Sequence, residues 1–198
     1  MKKTYLVVTS LVLAVASIGA QAQTGNKNQN GKNMYAPGSS YVDLSAGKSD
    51  FSLGNGIAGF NSDDRDNAYT VRAGSYFNEN LGMELGYTDF GKINRAGGST
   101  NADGVSLSLV GKFPLSPSFN LLGKIGTTWS RTDVSANPAS GITSGSEDGF
   151  GWSYGVGAEF AFSPQWSAVL QYESHDLKFA GDRNDNVAAT TLGVRYKF

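Results

Sequence analysis

The 198-residue sequence contains no cysteine, one histidine and five prolines. The absence of cysteine excludes disulfide bonds, thiolate chemistry and cysteine-liganded metal centres. It also excludes a lipoprotein-type lipid anchor, which is attached to a cysteine. One histidine gives little support to a metal site, since structural and catalytic metal centres use several ligands. No cofactor and no metal site are therefore predicted.

The sequence also lacks an excess of either charge and lacks long apolar runs suited to several spanning helices. Lysine and arginine total 16 against 17 Asp and Glu, and the net charge is -1, which argues against a nucleic-acid partner. A mean hydropathy of -0.27 excludes a polytopic helical membrane protein. Glycine is abundant instead, with 26 residues, and aromatic residues make up 12%. This composition favours short strands joined by turns.

Residues 1–22 have the pattern of an export signal. Lys2 and Lys3 precede an apolar run from Tyr5 to about Ile18, and a small-x-small cleavage site ends at Ala22. The apolar run is too short for a membrane-spanning helix. We therefore predict cleavage near Ala22 and export of the mature chain.

From residue 41, apolar and polar residues alternate in segments of about ten residues, the length of a tilted strand that crosses a bilayer. Residues 23–40 are rich in Asn, Gly and Lys without periodicity and are predicted to be a disordered periplasmic lead. We predict an all-β fold for residues 41–198, an eight-stranded antiparallel up-and-down transmembrane β-barrel with short periplasmic turns and long extracellular loops. The predicted strands are 41–48, 68–77, 81–90, 104–113, 119–131, 149–162, 166–174 and 187–198. The predicted turns are 78–80, 114–118 and 163–165, and the predicted long polar loops are 49–67, 91–103, 132–148 and 175–186.

Aromatic residues fall in two bands on the apolar face of these strands. Alternation alone does not distinguish a membrane barrel from a soluble one. However, the polar face is dominated by small residues such as Ser106, Ser108 and Gly126, which suit a crowded interior. Ten residues at ~3.3 Å, tilted by ~40°, span about 25 Å, the height of the apolar band of outer-membrane barrels. One predicted girdle flanks the short turns (Phe77, Phe113, Phe119, Phe162, Trp166), and the other lies further up the strands (Tyr69, Tyr87, Trp129, Trp152, Tyr172).

The last segment has one apolar face, which includes Tyr196 and ends at the terminal residue Phe198. It resembles the closing strand of bacterial outer-membrane barrels, in which the barrel assembly machinery reads a terminal Phe. The resemblance implies that Tyr196 and Phe198 form the assembly signal.

Three stretches resemble the third, fifth and sixth-to-seventh strands of the OmpA-like transmembrane domain: LGMELGYTDFG (81–91), LLGKIGTTWS (121–130) and YGVGAEFAFSPQWSAVLQYE (154–173). In length and layout the chain is equally similar to OmpX and Ail type barrels. The resemblance implies residence in the Gram-negative outer membrane after export through the periplasm. Because the sequence ends at the last strand, we do not expect a peptidoglycan-binding domain.

Charged residues of both signs are expected inside the barrel, because an eight-stranded barrel is only wide enough for its own side chains. Unpaired buried charges are costly, so we predict a paired network that conducts nothing. The parity of the strands predicts Arg72, Glu84, Lys112, Lys124, Glu159, Gln171, Glu173, Arg195 and Lys197 as lumen residues.

The resemblance matches Glu84 and Glu159 to lumen carboxylates of the family and Lys124 to a lumen arginine. Two cationic positions of the family are Val110 and Val169 here, so the salt-bridge gate proposed for the family is not carried over. We expect Lys124, Lys112 or Arg72 to hold the two glutamates.

Several other motifs are weaker. Residues 54–59 match a dinucleotide fingerprint but lack its strand-turn-helix frame, and we predict a loop tip. His175 is predicted to be a solvated loop histidine, since the adjacent Ser174 points to the opposite face and cannot form a triad with it. Acidic side chains in the first and last loops could bridge divalent cations to lipopolysaccharide (Asp63, Asp64, Asp66, Asp182, Asp185).

The sequence therefore predicts a non-enzymatic outer-membrane protein with an envelope-integrity or surface-interaction role. A narrow ion or solute channel and an extracellular-loop adhesin are the alternatives. A lipid-modifying enzyme has least support, because no paired Ser and His on one face is predicted. The expected partners are outer-membrane lipid, lipopolysaccharide and the barrel assembly machinery, with the barrel a monomer and any ligand of the loops unidentified.

Overall fold

The barrel is closed and built only from antiparallel strands. The computed structural model describes residues 39–51, 65–95, 98–136, 145–179 and 183–198. Neighbouring strands pair in sequence order, and β1 pairs with β8, which confirms the predicted fold class. No helix long and apolar enough to cross a membrane occurs in these ranges. The strands are β1 (Ser40–Phe51), β2 (Arg65–Tyr76), β3 (Leu81–Arg95), β4 (Gly98–Ser116), β5 (Phe119–Ala136), β6 (Gly145–Ala161), β7 (Trp166–Phe179) and β8 (Arg183–Lys197).

Some predicted features lie outside the described residues. These are the export signal, nearly all of the predicted lead, the glycine-rich segment 54–59, and the side chains of Asp63, Asp64, Asp182 and Asp185.

The three short turns lie at one end of the barrel, as predicted, and local side chains fix them. In the β2–β3 turn, Oδ1 of Asn78 accepts hydrogen bonds from the backbone N–H groups of Asn80 (2.9 Å) and Leu81 (2.8 Å). In the β6–β7 turn, Oγ of Ser163 accepts one from the N–H of Trp166 (3.0 Å). Such side-chain-to-backbone bonds are why Asn and Ser favour turns.

The strands are longer than predicted at the opposite end. Pairing continues to Arg95 with Gly98 between β3 and β4, and to Phe179 with Arg183 between β7 and β8. The prediction of long loops at 49–67, 91–103, 132–148 and 175–186 was therefore wrong in extent, since β1 and β2 also pair as far as Asp50 with Arg65. The 19 residues of β4 give a height of about 48 Å at the usual rise and tilt, well beyond a ~25 Å apolar band. Outside the bilayer neither face meets lipid, so paired strands there need no apolar alternation, and their polar sequence was misread as loop.

Burial alternates along each strand, with the polar face inside. On β5, Leu121, Ile125 and Trp129 point outward and are exposed, whereas Lys124 and Thr128 are buried in the lumen. The interior of the protein is therefore largely polar, and most of the large apolar side chains face the surroundings. This arrangement suits a barrel surrounded by lipid, in which the inward positions must satisfy one another.

Candidate functional site in the barrel lumen

Glu84 on β3 lies at the centre of a buried ion-pair network. Its Oε1 accepts a hydrogen bond from Nζ of Lys124 on β5 at 2.5 Å and lies 3.7 Å from Nε of Arg72 on β2. Its Oε2 accepts one from the hydroxyl of Tyr41 on β1 at 2.7 Å and lies 3.5 Å from Nη2 of Arg195 on β8. One carboxylate thus contacts four other strands across the lumen.

The same cations extend the network to two further carboxylates. Arg72 donates to Oδ1 of Asp43 at 3.1 Å and also to Glu173 on β7. Lys124 donates to Oε1 of Glu173 at 3.0 Å. Arg195 lies 3.3 Å from Oδ2 of Asp43. Each of these cations therefore bridges at least two carboxylates, so the network does not depend on any single ion pair.

Glu159 on β6 forms the part of the network nearest the short turns. Nζ of Lys197 lies 2.5 Å from its Oε1, and Nη1 of Arg195 lies 3.5 Å from its Oε2. Ser167 donates a further hydrogen bond to Oε1 at 2.7 Å. The expected partners of this carboxylate were Lys124, Lys112 or Arg72, whereas these two ion pairs come from β8. Lys112 places its ammonium 4.6 Å from the ring centre of Tyr76.

The two signs of charge balance within this network. Pairing is essential in a filled lumen, because a buried charge without a partner is strongly destabilising. Val110 and Val169 are also buried in the lumen, and the cations of the network come from β2, β5 and β8. The four carboxylates are Asp43, Glu84, Glu159 and Glu173, and the four cations are Arg72, Lys124, Arg195 and Lys197.

Two members of the network, Tyr41 and Asp43, were missed in the sequence. Both are buried, and Tyr41 also packs its ring 3.9 Å from Cζ of Arg195. The signal was present, since Tyr41 and Asp43 alternate with the apolar Val42 and Leu44. The same alternation that identifies lumen residues on the other strands therefore places both side chains inside.

Glycines on β6 allow side chains of β7 to reach β5. A Cβ atom at Gly155 would lie 2.8 Å from Cγ of Glu173, so the side chain of Glu173 lies directly over this glycine. It thereby reaches Lys124, two strands away. A larger residue at Gly155 would displace Glu173 and separate the pair.

His175 lies inside the barrel, which corrects the prediction of a solvated loop residue. It is only 2% exposed. Its Nδ1 lies 2.8 Å from Oγ1 of Thr128, and its ring meets Phe90 edge-on at 5.1 Å between centroids. Its position on β7 gives it the same parity as Gln171 and Glu173, both buried. The polar neighbours of His175 in the sequence suggested a loop, but β7 continues to Phe179.

Most of the predicted girdle residues are exposed on the outer surface. Tyr87 differs from the others. It pairs with Val71 and Val105 at a position whose side chain should face outward, yet its side chain is only 8% exposed. Phe119 is half-buried. The role of these residues at the membrane interfaces remains a prediction. The exposed members are Phe77, Phe113, Phe162, Trp166, Tyr69, Trp129, Trp152 and Tyr172.

Three aromatic side chains pack against one another near the short turns, with their rings tilted or edge-on. Tyr196 lies 4.8 Å from Trp166 and 5.2 Å from Phe198 between ring centroids. The backbone N–H of Phe198 donates to the carbonyl of Ser40 at 2.9 Å, which ties the last residue to the first strand. The predicted assembly residues are thus joined at the seam between β8 and β1.

Comparisons with known proteins agree with the fold. Outer membrane protein A of Yersinia pseudotuberculosis is 28% identical over 140 residues, which are 64% of this chain and 39% of that protein. Outer membrane protein A of Klebsiella pneumoniae is 30% identical over 157 residues, 73% of this chain and 45% of that protein. The chain thus spans less than half the length of these relatives.

Solved structures show the same fold at low sequence identity. Neisserial surface protein A aligns with a TM-score of 0.60 and 17% identity, over 81% of this chain and 96% of that chain. Ail of Yersinia pestis aligns with a TM-score of 0.55 and 18% identity, over 82% and 99%.

Residues 9–198 match the family described as outer membrane protein beta-barrel domain. The match covers all the described strands, and the closed eight-stranded barrel with an apolar exterior and a polar interior is the fold expected of such proteins in lipid. The chain belongs to this family of β-barrel proteins of the Gram-negative outer membrane.

Proposed function

We propose that this protein is a non-enzymatic, monomeric barrel that supports the integrity of the outer membrane and conducts no solute through its lumen. The observation that carries the proposal is the balanced ion-pair network, which links seven of the eight strands across the lumen. An ion that crossed the lumen would have to displace these pairs. Separating one partner from a buried pair costs about 3 to 5 kcal/mol, so a standing pore is disfavoured.

The test is the current through purified protein in planar lipid bilayers. The wild-type barrel is expected to give only baseline current, with a general porin in the same bilayer as the positive control. A stable stepwise conductance would contradict the proposal and favour a channel. A deletion strain assayed side by side for envelope permeability, adhesion and small-solute uptake then separates the physiological roles. Increased permeability alone supports the envelope role, and loss of solute uptake alone supports a channel.

A surface-interaction role is the second candidate. It is favoured by the extension of the paired strands beyond the apolar band, where Arg131 and Asp148 are exposed and lie 3.7 Å apart across β5 and β6. Exchange of the connections at this end with those of a related barrel tests this role. Adhesion that follows the exchanged connections would support it, and unchanged adhesion would contradict it.

We further propose that the barrel assembly machinery binds the terminal segment that ends in Tyr196 and Phe198. The proposal is supported by the position of both residues at the β8–β1 seam and by the exposure of Phe198. The seam pairs the first strand with the last, so it cannot form before β8 is in place. Phe198 is therefore free for recognition until the barrel closes.

A further inference from the structure

The lumen is layered along the barrel axis. On β3, the lumen positions run from Glu84 through Thr88 to Phe90, and on β2 they run from Arg72 through Thr70 to Ala68. The order is the same on both strands: charges, then hydroxyl groups, then apolar side chains. The apolar layer lies at the end away from the short turns and consists of Ala68, Phe90, Ala102, Leu177, Val187 and Ala189.

Phe90 dominates this apolar layer. It is 0% exposed and is the one aromatic residue among the six side chains, three of which are alanines. Its ring packs edge-on against His175, which lies across the lumen on β7. In a barrel this narrow, one ring that reaches the opposite wall is enough to block the axis.

The backbone that carries Phe90 is held by residues from β1 and β2. The register of β3 on β4 shifts between Asp89 and Lys92, which is the mark of a β-bulge. The following residue, Gly91, has φ of 81°, a conformation that favours glycine. Bulges commonly redirect a side chain, and this one lies directly beside Phe90.

Three hydrogen bonds fix the bulge. Oδ2 of Asp66 accepts from the N–H of Lys92 at 2.6 Å. Oγ of Ser49 donates to the carbonyl of Phe90 at 2.6 Å. Oδ1 of Asp89 accepts from the N–H of Gly91 at 2.9 Å. All three bonds meet the backbone within two residues of Phe90, and two of them come from the neighbouring strands β1 and β2, so these strands help to set the direction of its side chain.

Two buried polar residues, Ser153 and His175, lie beneath the apolar layer. The two residues are cross-strand partners on β6 and β7, and both are buried. Within the described residues, Oγ of Ser153 and Nε2 of His175 have no hydrogen-bond partner. Buried polar atoms of this kind are usually satisfied by a small hydrogen-bonding molecule such as water.

We propose that Phe90 is a plug that seals the lumen at its extracellular end, and that Asp66 and Ser49 are positioning residues for it. The plug is a second barrier, separate from the ion pairs. Removing an ion pair alone therefore leaves the outer end closed. This inference rests on the proposed closed lumen and adds the element that closes it from outside.

The absence of native cysteine allows a direct test with a single introduced thiol. Ser153→Cys places a nearly isosteric thiol beneath the plug. Intact cells are treated with a small, charged, membrane-impermeant methanethiosulfonate, and the labelling rate is measured on folded barrel only. We expect slow labelling of Ser153→Cys alone and at least tenfold faster labelling when Phe90→Ala is added.

Phe150→Ala is the matched control, because this aromatic residue is 72% exposed on the outside and should leave the rate unchanged. Asp66→Ala keeps Phe90 but loosens its support, and an intermediate rate is expected. This variant also keeps the test decisive if Phe90→Ala yields little folded protein. If Phe90→Ala and Asp66→Ala leave the labelling rate of Ser153→Cys unchanged, the proposal that Phe90 is a plug is wrong.

A further variant distinguishes the barrier formed by Phe90 from the barrier formed by the ion pairs. Lys124→Met with Ser153→Cys should label as slowly as Ser153→Cys alone, because Phe90 is intact. Fast labelling in that variant would overturn the independence of the plug from the ion pairs. A steady current through the wild type would contradict the closed lumen itself. Fast labelling of Ser153→Cys with Phe90 in place, without any current, would contradict the plug alone.

Discussion

Lys124→Met tests the lumen network most directly. Lys124 holds Glu84 at 2.5 Å and Glu173 at 3.0 Å, and all three side chains are buried. Methionine keeps most of the apolar stem, so the change removes the charge and its hydrogen bonds with little loss of packing. After the substitution, four carboxylates face three cations within the network.

The expected loss in the free energy of unfolding depends on the partners that Glu84 and Glu173 keep after the substitution. Removing one partner of a buried pair costs about 3 to 5 kcal/mol when the other stays charged. Glu84 keeps Tyr41 and Arg195, and Glu173 keeps Arg72. We therefore expect the lower end of this range, about 3 kcal/mol at neutral pH. With a urea dependence of about 1 to 3 kcal/mol per molar, the unfolding midpoint should fall by about 1 to 3 M.

The assay is urea unfolding of the purified barrel in lipid vesicles, followed by the shift in mobility between folded and unfolded protein. Adding Glu173→Gln to Lys124→Met restores equal numbers of the two charges and should recover more than half of the loss. Lys48→Met is the control, since this cation is exposed, donates a hydrogen bond to Oδ1 of Asn67 at 2.8 Å and should contribute less than about 1 kcal/mol. An unchanged midpoint in Lys124→Met would refute a stabilising network in the lumen.

Three other predictions follow from the closure of the barrel and from its outer rim. Deleting Phe198 should lower the amount of folded barrel in the membrane far more than Phe150→Ala does, because only the former removes the proposed assembly signal; equal yields measured in isolated membranes would contradict this. Folded protein should migrate differently on gels before and after boiling, since a closed barrel has no free strand edge at which detergent can begin to unfold it; identical mobility would count against closure. The backbone N–H groups of Lys92 and Asn67 lower the pKa of Asp66, at the outer end of β2. Its support of the bulge should therefore be complete above the ordinary carboxyl pKa of about 3.9 and be lost as the pH falls through the lower folded pKa. Amide hydrogen exchange at Lys92, corrected for intrinsic rates, should show this loss in wild type and no such pH dependence in Asp66→Asn.

The sequence by itself determined the barrel and the faces of its strands. Apolar residues at every second position, as in Val194, Tyr196 and Phe198, require a strand with one apolar face. Short turns built on Asn78 and Ser163 fix antiparallel neighbours, because their side chains bond the adjacent backbone. These signals are local, so they can be read before the fold is known.

The strand ends away from the short turns could not be predicted from the sequence in the same way. Around Asn101 and Asp133, most positions on both faces of the strand are polar, and these residues were predicted to lie in loops. In the structure they pair with each other across β4 and β5. Beyond the bilayer the outward face meets water and can be polar, whereas inward positions such as Thr100 and Thr132 stay buried. With polar residues on both faces, the apolar alternation that identifies a strand is absent.

Only the tertiary structure decided which charges meet in the lumen and what closes it. Parity places Glu159 and Arg195 inside, but their contact depends on strand stagger and on side chains that cross the lumen. His175 was assigned to solvent from its polar sequence neighbours, whereas the length of β7 places it in the interior. Phe90 acquires its partners through a bulge held by Asp66 from another strand. These contacts join residues distant in sequence, and no local pattern encodes the distances between them.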